Sequence, residues 1–259
     1  MYRLSACADT LFLNLPFEER VKKICAAGFL AEFWLWDGRN MDALAADSTI
    51  QVNNFVIGPG DGCIVHPDNV EGYFANVEEG LTIAKKLRCR RFIALSGGLS
   101  PETGASTHPV AEHPIARWVT AYKALRRLGD IAEQHDVVFS LEHLNIKLDH
   151  PGYPLANVED AARLVREVDS PGIKLLLDLY HAQVQEGNLI ELIREYHDIV
   201  GHIHVADVPG RHESGTGEIN YPQVVETLHE VGYDGVVGLE AFPKNDDYEA
   251  MDRFRDIFG

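Results

Sequence analysis

Short apolar runs alternate with longer stretches of mixed polarity from one end of the chain to the other. Runs dense in aliphatic and aromatic residues fall at 3–8, 31–36, 50–57, 91–95, 137–142, 173–178, 200–205 and 236–240, and they read as strands. The intervening stretches follow the helical period. Over 114–133, Ile115, Trp118, Val119, Tyr122 and Leu125 recur at i, i+3, i+4 and i+7, and over 69–87 Val70, Phe74, Val77 and Leu81 form one stripe. The helix after Trp36 is expected to be short. Eight strand–helix alternations in 259 residues predict an α/β fold, a (β/α)8 barrel forming a single domain over 1–259. An open doubly wound sheet shares the alternation, but no GxGxxG follows the first strand and no Ser-, Gly- or Pro-rich linker divides the chain. The longest irregular stretches, 58–68, 97–113, 143–156 and 206–220, all follow strands, which places them at the catalytic end of such a barrel.

Composition narrows the partners. The formal net charge is −17, and such a surface repels phosphate backbones and anionic membranes, so neither nucleic acid nor a membrane is an expected partner. An anionic small-molecule substrate would need local positive charge. Cys7, Cys25, Cys63 and Cys89 form no CxxC pair and no zinc-like spacing, and a chain of this length needs no disulfide. The first residues, MYRLSACADTLF, lack the basic and apolar regions of a signal peptide, and no apolar run approaches a membrane span. The expectation is a cytoplasmic protein.

Chemistry collects at the strand ends. Four consecutive strands finish on a potential metal ligand: Glu142 in SLEHLN, Asp178 in LLLDLYH, His204 in GHIHVADVPGR and Glu240 in VVGLEAFP. One carboxylate after an apolar strand reads first as a helix cap or an ion-pair partner. Four in succession, 36, 26 and 36 residues apart with few arginines or lysines beside them, read better as ligands of one cation. Three carboxylates with one imidazole suit a hard or borderline divalent ion, Mn²⁺ or Mg²⁺, the nitrogen favouring manganese. His181, three residues past Asp178, either donates to a substrate oxygen or caps the next helix. Arg211, in a Gly-rich loop, either captures a substrate carboxylate or pairs with Glu213 or Glu218. His202 reads as a core histidine and His143 as pointing away behind Glu142. Asn145 could reach the site from its loop, Trp34 and Trp36 could wall a pocket or fill the core, and His66 is a weaker candidate in the loop after the third strand.

The segments SLEHLN, DHPGYPLAN, LLLDLYHAQVQEGNL, GHIHVADVPGRHESGTGEINYP and GYDGVVGLEAFP, between Ser140 and Pro243, resemble hydroxypyruvate isomerases within the xylose-isomerase-like barrel superfamily. Two positions depart from that pattern: His143 stands where those isomerases commonly carry proline, and His204 where some carry glutamine. The resemblance implies that Glu142, Asp178, His204 and Glu240 hold the metal, and that Glu142 and Glu240 are the paired proton donor and acceptor. It further implies a sugar or sugar-acid substrate, with hydroxypyruvate converted to 2-hydroxy-3-oxopropanoate through an enediolate. The alternatives are a ketose 3-epimerase, a 2-oxotetronate isomerase or a 3-keto-sugar lyase. Apurinic endonucleases share the superfamily but use more histidine ligands and a basic face. A homo-oligomer is also expected.

Overall fold

The computed structural model describes residues 2–58, 60, 62–107 and 113–259. Residues 59, 61 and 108–112, which belong to two of the expected catalytic-end loops, lie outside the described residues. Eight parallel strands close into a barrel in the order β1 to β8. They are β1 (Arg3–Cys7), β2 (Leu30–Phe33), β3 (Val52–Ile57), β4 (Arg91–Ala94), β5 (Val138–Glu142), β6 (Ile173–Asp178), β7 (Val200–Val205) and β8 (Val236–Leu239). The outer ring comprises α1 (Phe17–Ala26), α2 (Met41–Ala46), α3 (Val70–Leu87), α4 (Pro114–His135), α5 (Val158–Val168), α6 (Leu179–Gln185), α7 (Leu189–Tyr196), α8 (Tyr221–Glu230) and α9 (Asp247–Phe258). The expected barrel is the observed one, and α2 is the short helix after Trp36. β2 stops at Phe33, so both tryptophans lie beyond it. No helix among the described residues is long and apolar enough to cross a membrane.

Strand alternation divides each strand between the helix layer and the lumen. Phe33, Phe55, Phe92 and Phe139 are register partners on β2 to β5, and their ring centroids are 5.2, 5.3 and 5.1 Å apart in sequence around the barrel. These fully buried rings glue the strands to the helices. The residues next to them face the lumen. There the usual branched aliphatic filling of such barrels gives way on several strands to polar groups: Glu32, Asn54, Ser140, His202 and Gly238, all buried.

Only part of the stripe read from 114–133 is buried by α4, with Leu125 in the core and Trp118 packed against it. The helix's core contacts come from Ala121, Ala124, Leu125, Leu128 and Ala132, whereas Ile115, Val119 and Tyr122 are exposed. Three alanines and two leucines pack α4 against the barrel, while Ile115, Val119 and Tyr122 nearer its N-terminus turn outward. The stripe of α3 behaves as read, with Phe74, Val77 and Leu81 in the core.

Candidate metal centre and substrate pocket

Glu142 and Asp178 end their strands, His204 is next to last in β7, and Glu240 directly follows β8. Alternation turns all four toward the barrel mouth, and one ligand atom from each lies within 4.8 Å of the others. Nδ1 of His204 is 3.6 Å from Glu142 Oε1, 3.8 Å from Asp178 Oδ2 and 3.6 Å from Glu240 Oε2. These separations exceed a hydrogen bond, and they suit ligand atoms that share one ion at about 2.1 Å each. Nδ1 is buried and has no hydrogen-bond partner among the described residues, an unpartnered nitrogen facing three acids. The donor set fits a single divalent cation.

Electrostatics point the same way. Burial pushes the Glu142 carboxyl up to about 7, with the Glu240 and Asp178 charges adding to the rise against the His204 contact. Burial and then Glu240 raise Asp178 to about 6. Burial alone would raise Glu240 too, but His204, Arg211 and Trp34 outweigh it and hold it below the usual range. Three carboxylates drawn together with one imidazole are short of positive charge, which a cation would supply.

The orientation of His204 depends on a residue that sequence reasoning passed over. Glu32, on β2, accepts from His204 Nε2 at 2.9 Å, from Asn53 Nδ2 at 2.7 Å and from Asn54 Nδ2 at 3.1 Å, and His202 Nε2 lies 3.0 Å from its Oε1. Burial would raise its pKa, yet His202 and His204 outweigh that and hold it well below the carboxylate range. An ionised carboxylate only accepts, so His204 keeps a proton on Nε2. Burial would lower the ring's pKa, but Glu240, Glu142 and Glu32 outweigh it and hold it well above the ordinary value, and a cation at Nδ1 would displace the second proton. His202 is a core histidine, as expected, packed against the same carboxylate. Gly238 makes room: a Cβ there would lie 2.8 Å from Glu32 Oε2 and 3.0 Å from His202 Nε2. The signal available in the sequence was one acid in the apolar run LAEFWLW and adjacent asparagines in the next strand, both out of place in strands buried on both faces.

Asp178 combines two readings that the sequence set against each other. Its Oδ1 caps α6 by accepting from the His181 backbone N–H at 2.8 Å, while Oδ2 faces His204. His181 is buried beside it. Its Nδ1 receives Asn145 Nδ2 at 2.7 Å and the Asn145 backbone N–H at 3.3 Å, so Nδ1 is the acceptor and the proton is on Nε2. Burial and then the Arg211 charge hold the ring well below its ordinary pKa, hence neutral. Nε2 has no hydrogen-bond partner among the described residues.

Arg211 does not pair with Glu213 or Glu218. Glu213 accepts from the Lys244 backbone and Glu218 from Gln183, whereas Arg211 Nη2 reaches Glu240 Oε2 and its guanidinium lies 5.1 Å from the Tyr180 ring. Its Nε is buried and unpartnered among the described residues. Asp207 builds the loop that aims it, accepting backbone N–H groups of Gly215 and Thr216 at Oδ2 and of Val208 and Ile219 at Oδ1. Trp34 also belongs to the site. Its indole Nε1–H donates to Glu240 Oε1 at 2.5 Å, and its backbone N–H is held by Asp9 at 2.6 Å. Trp36 is only partly buried against the core, His66 caps a short turn through the Asp68 N–H, and neither joins the cluster. His143 is fully buried, both ring nitrogens unpartnered among the described residues, and desolvation lowers its pKa to about 3.

The chain belongs to the xylose isomerase-like TIM barrel family, whose sequence profile matches residues 32–257. Two curated relatives span nearly the whole chain. The 2-oxo-tetronate isomerase of Pectobacterium atrosepticum is 30% identical over 94% of this chain and 93% of its own length. The hydroxypyruvate isomerase of Escherichia coli is 27% identical over 94% and 95%. A solved structure from Brucella melitensis, described as AP endonuclease, family 2, superimposes with a TM-score of 0.88 at 30% identity, covering 99% of both chains. The chain is an isomerase, as those curated relatives are.

Glu32→Gln replaces an acceptor by a group that also donates, and so removes the reason for His204 to keep its proton on Nε2. The variant is expected to bind Mn²⁺ about 10–100-fold more weakly by calorimetry. An unchanged Kd would show that His204 needs no such partner.

Proposed function

We propose that the chain isomerises a small 2-oxo acid bearing a hydroxyl on C3, with hydroxypyruvate, converted to 2-hydroxy-3-oxopropanoate, as the substrate that fits best. The observation that carries the reading is the orphaned Nδ1 of His204 among three carboxylates, with an arginine that has a free buried donor beside them. Glu142, Asp178, His204 and Glu240 would hold one divalent cation, Mn²⁺ or Mg²⁺. When bound, that ion supplies a Lewis acid that stabilises negative charge developing on the substrate's oxygens.

The residues of the chain divide the remaining work. Arg211 neutralises the substrate carboxylate, a need set by the surface charge of −17, and its Nε and Nη groups offer the fork that a carboxylate matches. His181, neutral with its proton on Nε2, donates to a substrate oxygen without carrying a charge into the pocket. Glu142 and Glu240 approach from strands three places apart in the ring. One removes the proton from C3, leaving an enediolate, and the other returns a proton to C2. The hydroxyl hydrogen on O3 is lost as the aldehyde forms, and O2 gains one. Trp34 and Arg211 hold Glu240 in place for this exchange.

A second reading, 2-oxotetronate as substrate, is supported by the Pectobacterium relative and by the same carboxylate-binding arginine. It differs only in the carbon chain beyond C3, so assaying both acids side by side separates the two.

Glu142→Gln and Glu240→Gln are each expected to lower kcat on hydroxypyruvate at least about 10²-fold and to abolish deuterium uptake from D₂O into substrate, with bound metal quantified in parallel. Full activity in both variants would defeat the two-carboxylate mechanism. Arg211→Ala should lower kcat/KM about 10²-fold on the acid, as expected for a charged hydrogen bond worth roughly 2–3 kcal/mol, and change turnover of a neutral ketose far less. An equal loss on both would remove the carboxylate role.

A further inference from the structure

The chain carries a net charge of −17, yet the end of the barrel away from the acid cluster is basic. Arg3 opens β1, Arg91 opens β4, and Lys86, Arg88 and Arg90 lie in the last turn of α3 or just beyond it. Five of the chain's 23 lysines and arginines thus line one cavity of about 350 Å³ at the strand N-termini, with a single acid, Asp47, among its described lining residues.

Local structure accounts for part of this charge. Cations in the last turn of a helix face its negative end, which explains Lys85 and Lys86. Lys86 also pairs with Asp42, Arg90 with Asp136, and Asp47 with Lys22. Arg3, Arg88 and Arg91 remain. They arrive from three separate segments, and none has an ion pair or a side-chain hydrogen bond among the described residues. Like charges that share a concavity raise its potential and concentrate anions there, and guanidinium groups match the oxygens of a phosphate.

A second group on the same wall is unsatisfied. Asn53 is 4% exposed and lines the cavity. Its Nδ2 donates to Glu32 Oε1 at 2.7 Å, and an ionised carboxylate only accepts, so the amide cannot be turned round. That leaves Oδ1 buried with no hydrogen-bond partner among the described residues. Buried acceptors are rarely left so, and a hydroxyl would answer this one. We propose that the cavity binds a small phosphate ester carrying hydroxyl groups, its phosphate held by Arg3, Arg88 and Arg91 and a hydroxyl donating to Asn53. The volume lies at the lower end of the range for small-molecule sites. The site is distinct from the metal centre, which it meets only through Glu32, the acceptor shared by Asn53 and His204.

The test is calorimetric titration of the full chain at low ionic strength with ribose 5-phosphate, and with ribose as the uncharged control. Wild type is expected to bind the phosphate with a Kd below about 1 mM and to show no heat with ribose. Arg3→Gln and Arg88→Asn should each weaken binding about tenfold or more, as the loss of a charge-assisted hydrogen bond does. Both side chains are exposed, and asparagine tolerates the left-handed backbone of Arg88, φ 56°, so the variants stay folded. Their circular dichroism and their kcat on hydroxypyruvate should match wild type, as neither residue touches the metal centre. No binding of ribose 5-phosphate by wild type overturns the inference. So does equal binding of ribose, or full affinity in both variants, which would place the phosphate elsewhere on the molecule.

Discussion

Glu32 occupies the middle of the barrel as an ionised carboxylate, and the arrangement above it follows from how that charge is satisfied. A buried carboxylate costs several kcal/mol unless its oxygens are bonded. Here His204, Asn53 and Asn54 donate to it and His202 closes the remaining side. Satisfying Glu32 engages the Nε2 proton of His204, and the other ring nitrogen is thereby aimed at Glu142, Asp178 and Glu240, where a cation would take the place of a proton. Gly238 has no side chain because one would collide with this cluster. The polar lumen, which departs from the aliphatic filling usual in such barrels, is thus the underside of the site.

Around that axis the pocket is held by contacts that also set charge. Trp34 and Arg211 fasten Glu240 and hold its pKa down, while Glu142 lacks an arginine and is pushed up by burial. Asp178 is fastened by capping α6, and the same cap brings His181 against Asn145 with its Nε2 proton free. Asp207 gathers four backbone N–H groups and so shapes the loop that presents Arg211. Glu240, Asp178, His181 and Arg211 are therefore each held by contacts within the chain itself.

The barrel and the four strand-end side chains were legible because both are written in local pattern: apolar runs of strand length, each closing on a polar residue. Glu32 was not, since its partner His204 lies 172 residues away and nothing local announces the pairing. Arg211 offered Glu213 and Glu218 as neighbours in sequence, but β8 brings Glu240 to it instead. The stripe on α4 shows a limit of periodicity itself. A row of large apolar residues at helical spacing marks a face and is silent on how far it is buried; here Leu125 joins Ala121, Ala124 and Leu128 in the core while Ile115, Val119 and Tyr122 stay exposed.

The central claim is that Nδ1 of His204, aimed by Glu32, completes a single cation site with Glu142, Asp178 and Glu240. Anomalous diffraction at the manganese edge from crystals grown with Mn²⁺ tests it directly. The account predicts one peak, bonded to Nδ1 of His204 and to oxygens of all three carboxylates, with Nε2 still on Glu32. A peak elsewhere, a manganese bound through Nε2, or no peak at saturating Mn²⁺ would contradict it.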